Sequence, residues 1–236
     1  MRRRDFLTSA AALGTGVAVA PVVDALAKDA RGVAPARGAK LTPPEEGTLP
    51  VAFAISRSTT WIDWVGPQAV FETWRFDPVL KKHVPKFNLF TVGPSLEPVD
   101  RLIPDYTYET APRASIVVVP AQSGSPALLE WLGRVHETAD VTMSVCVGAK
   151  HLAKAGLLNE LSATTHHESI DQFTKDYPRV KWIRGVRFVE EQRISTGGGL
   201  TAGIDLALRV VARYFGRDDA QAVADHLEYQ GKGWII

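Results

Sequence analysis

The chain of 236 residues has a single cysteine, Cys146, and it stands where an apolar β-branched stretch gives way to a helical pattern. Val141-Thr-Met-Ser-Val145 has the length and composition of a strand buried in a parallel sheet. Ala149, Leu152, Ala153 and Leu157 then recur on one face, as in a helix packed on that sheet. Cys146 therefore falls on a sharp strand-to-helix turn, the geometry of a nucleophile elbow, and Gly148 lets the backbone approach closely. A free thiol is only about 3% ionised at neutral pH. A helix N-terminus favours the anion, so the position predicts a thiolate able to attack an electrophilic carbon. A small buried cysteine filling space is the competing reading.

Ligands of open α/β sheets bind outside the carboxyl ends of the strands. That rule gathers Trp61 to Pro67, Pro120 to Ser123, Cys146 and Thr165 to Glu168 at one sheet edge. Asp63 is the carboxylate of the first segment. Beside a thiolate its pKa rises, since like charges resist joint ionisation, and it then suits a proton donor and acceptor; capping backbone donors in the turn is its ordinary use. Ala121 and Gln122 lie in a loop whose N–H groups suit an oxyanion site, with Val147 and Gly148 completing the pocket around the cysteine. His166 and His167 are adjacent, so in extended backbone they point to opposite faces, and His166 is the one expected toward the thiol. Trp61 and Trp64 flank Asp63 as apolar walls, unless they serve the core. No His-Glu-x-x-His or Cys-x-x-Cys pattern occurs, so no metal site is expected. Gly197-Gly-Gly-Leu-Thr-Ala-Gly203 misses the dinucleotide spacing and reads as close strand–helix packing.

These residues need a sheet to hold them. Strands are expected at 51–56, 87–92, 106–110, 116–119, 141–145, 162–165, 186–190 and 193–196. Helices are expected from Pro67 toward Arg75 (Val70, Phe71 and Trp74 on one face) and at 126–135 with Ser125 as N-cap. Further helices are expected after Cys146 and at 169–175, 200–215 and 218–229. The alternation predicts an α/β fold with a mainly parallel sheet and helices on both faces. Apolar residues make up 45% and charged residues 22%, a globular balance. The formal charge of +1 gives no basic face for nucleic acid.

The N-terminus reads as a signal. Arg2-Arg-Arg-Asp-Phe-Leu7 is followed by an Ala/Gly/Val-rich run, and Ala25 and Ala27 frame a cleavage site. Residues 1–27 are therefore expected to be a twin-arginine signal peptide, 28–49 a flexible leader and 50–236 the domain. The expected location is the bacterial periplasm, with no stable membrane insertion after the signal is removed. One cysteine permits no internal disulfide in that oxidising space, which adds weight to a functional thiol.

Asp63-x-x-Gly-Pro67, the strand and loop Ile116 to Pro120, Ser144-Val-Cys-Val-Gly148, Leu152-Ala-x-Ala-Gly-Leu-Leu158, Ala163-Thr-Thr-His166 and Gly199-Leu-Thr-Ala-Gly-Ile-Asp-Leu-Ala-Leu208 together resemble the ThiJ/PfpI family, within the class I glutamine-amidotransferase-like superfamily. The Asp-x-x-Gly-Pro start resembles the branch containing isonitrile hydratase and the sensing domains of AraC-type regulators. The resemblance covers roughly residues 50 to 230 and implies a flavodoxin-like α/β sandwich, usually dimeric, with Cys146 as nucleophile and Asp63 as its acid partner. Val147 stands where the hydratase has Thr and peptidase-like members have His, so neither role transfers and a peptidase is not expected. Ala121 and Gln122 replace the two glycines of the usual Pro-Gly-Gly loop. No helix-turn-helix pattern follows the domain, so a DNA-binding regulator of the usual form is not expected.

The expected function is a cysteine-dependent hydratase converting an isocyanide and water to an N-substituted formamide, with a small electrophilic substrate and no cofactor. A glyoxalase-like reaction on aldehydes, and a non-catalytic periplasmic protein that binds a small ligand or senses oxidants, are the alternatives.

Overall fold

Four consecutive β-branched residues, Ile116–Val119, are completely buried, and the sheet is built outward from them. At roughly 1.5–3 kcal/mol per buried side chain, this strand alone contributes on the order of 6–12 kcal/mol of apolar burial, which suits only a central position. The computed structural model describes residues 38–73, 75–77 and 82–236. Its strands are β1 (Leu49–Ala54), β2 (Arg75–Asp77), β3 (Lys82–Val84), β4 (Phe87–Gly93), β5 (Tyr106–Thr107), β6 (Ile116–Val119), β7 (Val141–Ser144), β8 (Ser162–Ala163), β9 (Lys181–Trp182), β10 (Phe188–Glu190) and β11 (Ile194–Gly197). The helices are α1 (Trp61–Glu72), α2 (Pro126–His136), α3 (Ala149–Lys154), α4 (Ile170–Asp176), α5 (Ala202–Phe215) and α6 (Arg217–His226). Seven strands form the main sheet in the order β10-β11-β7-β6-β1-β4-β5. All neighbours in it run parallel except β10 and β11, which form the antiparallel edge.

Alternation along the strands divides the core between the two faces. Val51 and Phe53 of β1 and Ile116 and Val118 of β6 pack with α1, α5 and α6. Ala52, Ala54, Val117 and Val119 pack on the other face with α2 and α3. The result is the expected flavodoxin-like three-layer sandwich. Ser125 caps α2 as expected, its Oγ accepting from the Leu128 N–H at 3.2 Å, with Pro126 beginning the helix. Helix α1 starts six residues earlier than expected, at Trp61, and ends at Glu72, while Trp74 lies outside the described residues. The pairs β2–β3 and β8–β9 form two small separate sheets; β2, β3 and β9 are too short to leave a periodic signal.

The register aligns the ends that matter. Val119 of β6 pairs with Ser144 of β7, and Ser144 with Thr196 of β11. The chain therefore leaves three adjacent strands at one level, into the loops 120–124, 145–148 and 198–201. Gly203 explains how α5 comes so close: a Cβ there would sit 3.0 Å from Val145 and 3.2 Å from Pro67, so β7, α1 and α5 meet around a missing side chain. That is the packing role expected for the glycine-rich run.

The expected signal segment, 1–27, lies outside the described residues. The 28–49 stretch enters them at Gly38, where it is held by specific contacts. Arg213 Nε donates to the Ala39 carbonyl at 2.9 Å, the Leu41 N–H donates to the Arg213 carbonyl at 2.9 Å, and Leu41 packs on the core. No described helix is long and apolar enough to cross a membrane.

Candidate active site

At the end of β7 the Val145 N–H donates to the Val119 carbonyl, and the next residue breaks the ladder. Cys146 takes a left-handed backbone with φ +57°, which costs a non-glycine residue on the order of 1–3 kcal/mol. Its own backbone groups hold it there. The N–H donates to the Gly198 carbonyl at 2.7 Å, and the carbonyl accepts from Thr165 Oγ1 at 2.8 Å. Gly148 is required by contact: a Cβ would overlap the Val119 carbonyl oxygen and stand 2.8 Å from the Pro120 carbonyl group. A single 3-10 turn, Cys146–Gly148, then leads into α3.

The cysteine is only 8% exposed. The N–H groups of Val147 and Leu200 hydrogen-bond the sulfur and favour its anion, Leu200 being itself left-handed at φ +50°. Burial outweighs them. It pushes the thiol up from its ordinary range, and the nearby Asp63 charge pushes further in the same direction. The expected helix-activated thiolate is thus corrected: the elbow is present, but desolvation and a neighbouring carboxylate act against the anion.

Asp63 lies in the first turn of α1 with no solvent exposure. One carboxylate oxygen accepts from the Ala121 N–H at 3.1 Å, and the other is buried with no partner among the described residues. Burial raises its pKa to about 6, with the Ala121 hydrogen bond pulling the other way. The Thr60 N–H donates to the Ala121 carbonyl at 2.8 Å, so both polar groups of Ala121 lash the start of α1 to the 120–124 loop. The Ala121 N–H, expected as an oxyanion donor, is spent on Asp63. Gln122 is also drawn inward. Its Nε2 donates to the Ala54 carbonyl at 3.0 Å, and its Oε1 is buried with no partner among the described residues.

His151 was not expected at this edge. It is 1% exposed, and its Nε2–H donates to the Gln122 carbonyl at 3.0 Å. Burial pushes its pKa down to about 4, with that hydrogen bond opposing, so it is a neutral prop under the loop. Gly124 makes room for it, since a Cβ there would lie 2.8 Å from the ring. The sequence signal was Gly124 and a histidine within the apolar run of α3.

His166 and His167 do not point to opposite faces. Their rings lie 4.5 Å apart at 35°, because the extended backbone ends at His166 and His167 opens a 3-10 turn. His166 packs on Gly199, where a Cβ would stand 2.5 Å from the ring, and its Nδ1 is 3.8 Å from Glu168. It therefore bears on the elbow through the loop that carries the Leu200 N–H. Trp64 belongs to the apolar cluster that includes Cys146 and Ala121. Trp61 turns outward, half-exposed, into a separate cleft with Ser58, Thr59, Asp100 and Arg101. The two indoles lie 5.7 Å apart, one facing that cleft and the other packed in the core. Val147 is half-buried against the same cluster. Among the described residues no group of three or more His, Cys, Asp or Glu comes together as metal ligands.

The geometry offers a strained, hydrogen-bonded thiol beside a buried carboxyl, two groups that resist being charged together. A family model, DJ-1/PfpI family, matches residues 103–213. Isonitrile hydratase of Pseudomonas putida is 31% identical over 193 residues, 77% of this chain and 78% of that protein. The chain belongs to the DJ-1/PfpI family. Other relatives are regulators: the HTH-type transcriptional regulator CdhR of Pseudomonas aeruginosa is 34% identical over 106 residues, 45% of this chain and 31% of the regulator. The DJ-1/PfpI fold recurs in a solved ThiJ/PfpI family protein from Pseudomonas syringae, with a TM-score of 0.68 and 23% identity over 96% of this chain and 85% of that one. Drosophila melanogaster DJ-1beta gives a TM-score of 0.64 at 16% identity, covering 78% of this chain and 100% of that one.

Proposed function

We propose that this DJ-1/PfpI protein is a cysteine-dependent hydratase of the isonitrile-hydratase type, adding water to an isocyanide to give an N-substituted formamide. The observation that carries the reading is Asp63, an unexposed carboxyl held near pKa 6 and electrostatically coupled to the elbow sulfur. The similarity to a named isonitrile hydratase over most of both chains supports it.

Burial raises Asp63 to about 6 and the Asp63 charge adds to burial in raising the Cys146 thiol, so at neutral pH the pair holds one proton, on the sulfur. The thiol passes that proton to Asp63, and the sulfur attacks the terminal carbon of R–N≡C. Asp63 delivers the proton to the same carbon, leaving a thioimidate, R–N=CH–S–Cys146. Asp63 then takes a proton from water and passes it to nitrogen while the hydroxyl adds to carbon, giving R–NH–CH(OH)–S–Cys146. The carbon–sulfur bond breaks with its electron pair going to sulfur, the hydroxyl proton moves to Asp63, and R–NH–CHO leaves. The Val147 and Leu200 N–H groups stabilise the sulfur when it is anionic, before attack and after release. Every atom of the product comes from the isocyanide and water, so this chemistry calls for no cofactor. In the same reading, residues 1–27 export the chain to the periplasm and it works as a homodimer. Cell fractionation and sedimentation velocity test those two points.

The deciding experiment is incubation with n-butyl isocyanide and NMR detection of N-butylformamide. The wild type forms it catalytically. Asp63→Asn loses about 10²-fold or more in rate, the scale of acid–base catalysis, and Cys146→Ala forms none above background. Equal rates for wild type and Cys146→Ala would sink the mechanism. A second reading, a ligand-binding protein without turnover, is favoured by the regulator relatives and by the raised thiol pKa. It takes over where no isocyanide turns over yet a small ligand protects Cys146 from alkylation.

A further inference from the structure

Beside the elbow, on the far side of the 198–200 loop, lies a cleft of about 350 Å³ that the chemistry above does not use. Every ionisable side chain lining it is basic: His166, His167, Arg184 and Arg187. Three carboxylates stand close by: Asp171 on Arg184, Asp205 on Arg187, and Glu168, 3.8 Å from His166. Arg184 Nη2 donates to Asp171 at 2.7 Å and Nη1 to the His167 carbonyl at 2.9 Å. Arg187 Nε donates to the buried Asp205 at 2.6 Å, and its Nη2 reaches Asp205 and Thr201. A guanidinium has five N–H donors in a fixed planar fork. Arg184 therefore keeps its Nε–H and half of each terminal pair, while Arg187, which also hydrogen-bonds Tyr229, has fewer hydrogens to offer. Both forks are oriented in advance, so ordering them costs little on binding.

We propose that this cleft is a binding subsite for a small carboxylate, sensed at Cys146 through the loop they share. Planar forks held at two points match a planar carboxylate better than a neutral ligand. Ile170 and Val186 give the cleft an apolar side for the remainder of the acid. Its volume is at the small end for ligand pockets, which fits an acid of about ten heavy atoms. The coupling follows from the loop. Its Gly198 carbonyl accepts the Cys146 N–H, its Leu200 N–H faces the sulfur, and its Gly199 lies beneath His166, a cleft residue. A ligand seated against His166 and Leu200 presses on the donors that set the reactivity of the thiol.

The probe is phenylacetate, with phenylacetamide as the uncharged match of the same shape. On the full chain, phenylacetate is expected to raise Tm saturably and to change the rate of Cys146 alkylation by iodoacetamide severalfold at saturation. Phenylacetamide does neither. Arg184→Gln, which removes a half-exposed side chain, weakens phenylacetate binding about tenfold while leaving the Tm of the ligand-free protein unchanged. Equal effects of acid and amide, binding unaltered in Arg184→Gln, or an alkylation rate indifferent to saturating phenylacetate would each overturn the proposal. None of these readings depends on isocyanide turnover, so failure here leaves the hydratase reading standing, and the converse holds.

Discussion

Asp63 works against the fold that positions it. A carboxyl raised from 3.8 to about 6 binds its proton more tightly folded than unfolded. The stability it contributes is present below the unfolded pKa and is lost as pH rises through the folded one, an effect of about 1–3 kcal/mol. Asn in its place keeps an acceptor for the Ala121 N–H and removes the charge. Asp63→Asn is therefore expected to be more stable than wild type by that amount at pH 8 and close to it at pH 4, measured by urea unfolding. The same substitution takes away the charge that holds the Cys146 thiol up, so the midpoint of its alkylation-pH curve falls relative to wild type. A destabilised mutant at pH 8, or a midpoint that rises, contradicts this account. A variant that gains stability while losing turnover marks Asp63 as a residue kept for chemistry.

The elbow is an arrangement of elements, and Gly148 is where they meet. Gly148→Ala drives a Cβ into the Val119 carbonyl at the end of the central strand, where neither β6 nor the Pro120 turn can withdraw. The expected cost is about 3 kcal/mol or more in unfolding free energy, against under 1 kcal/mol for Gly133→Ala, whose added Cβ meets nothing. Similar costs at both positions would remove the packing argument. Much of this level was legible in the sequence. β6 is an uninterrupted β-branched run and β7 a largely apolar or β-branched one, α2 carries Ser125-Pro126 at its start, and Cys146 followed two residues later by Gly148 marks the turn. Asp63 could be placed at the same edge because it follows β1 and precedes Gly66-Pro67. What escaped was set by tertiary contact. The thiol's pKa depends on how deeply the elbow is buried, and His151 is a prop only because Gly124 folds over it. The stacking of His166 on His167 depends on where an extended segment turns into a 3-10 turn, which neighbouring residues do not encode.

Across the whole molecule, α5 connects the site to a buried ionic cluster. Its start packs Gly203 beside the elbow strand, and Arg213, ten residues or about 15 Å along the axis, sits at the other end. There Glu190 is 1% exposed between Arg209, whose Nε donates to it at 2.8 Å, and Arg213, 3.7 Å away. Residues 38–41 close over the cluster: Gly38 has no room for a side chain against Glu190 and Arg213, and Ala39 takes the Arg213 Nε–H. Removing one partner of such a cluster leaves a buried charge short of compensation, whereas removing both charges of a pair is far better tolerated. Arg213→Met is therefore expected to cost about 3–5 kcal/mol, and Arg213→Met with Glu190→Leu clearly less than the sum of the two single substitutions, read from a double-mutant cycle in urea. Additive losses would mean that the two side chains act independently. Because the cluster lies at the far end of α5 from the elbow, Cys146 alkylation in the folded Arg213→Met protein should proceed at the wild-type rate. A changed rate would mean that α5 or the β10–β11–β7 strands transmit the loss to the sulfur, making residues 38–41 part of the active site's support as well as the fold's.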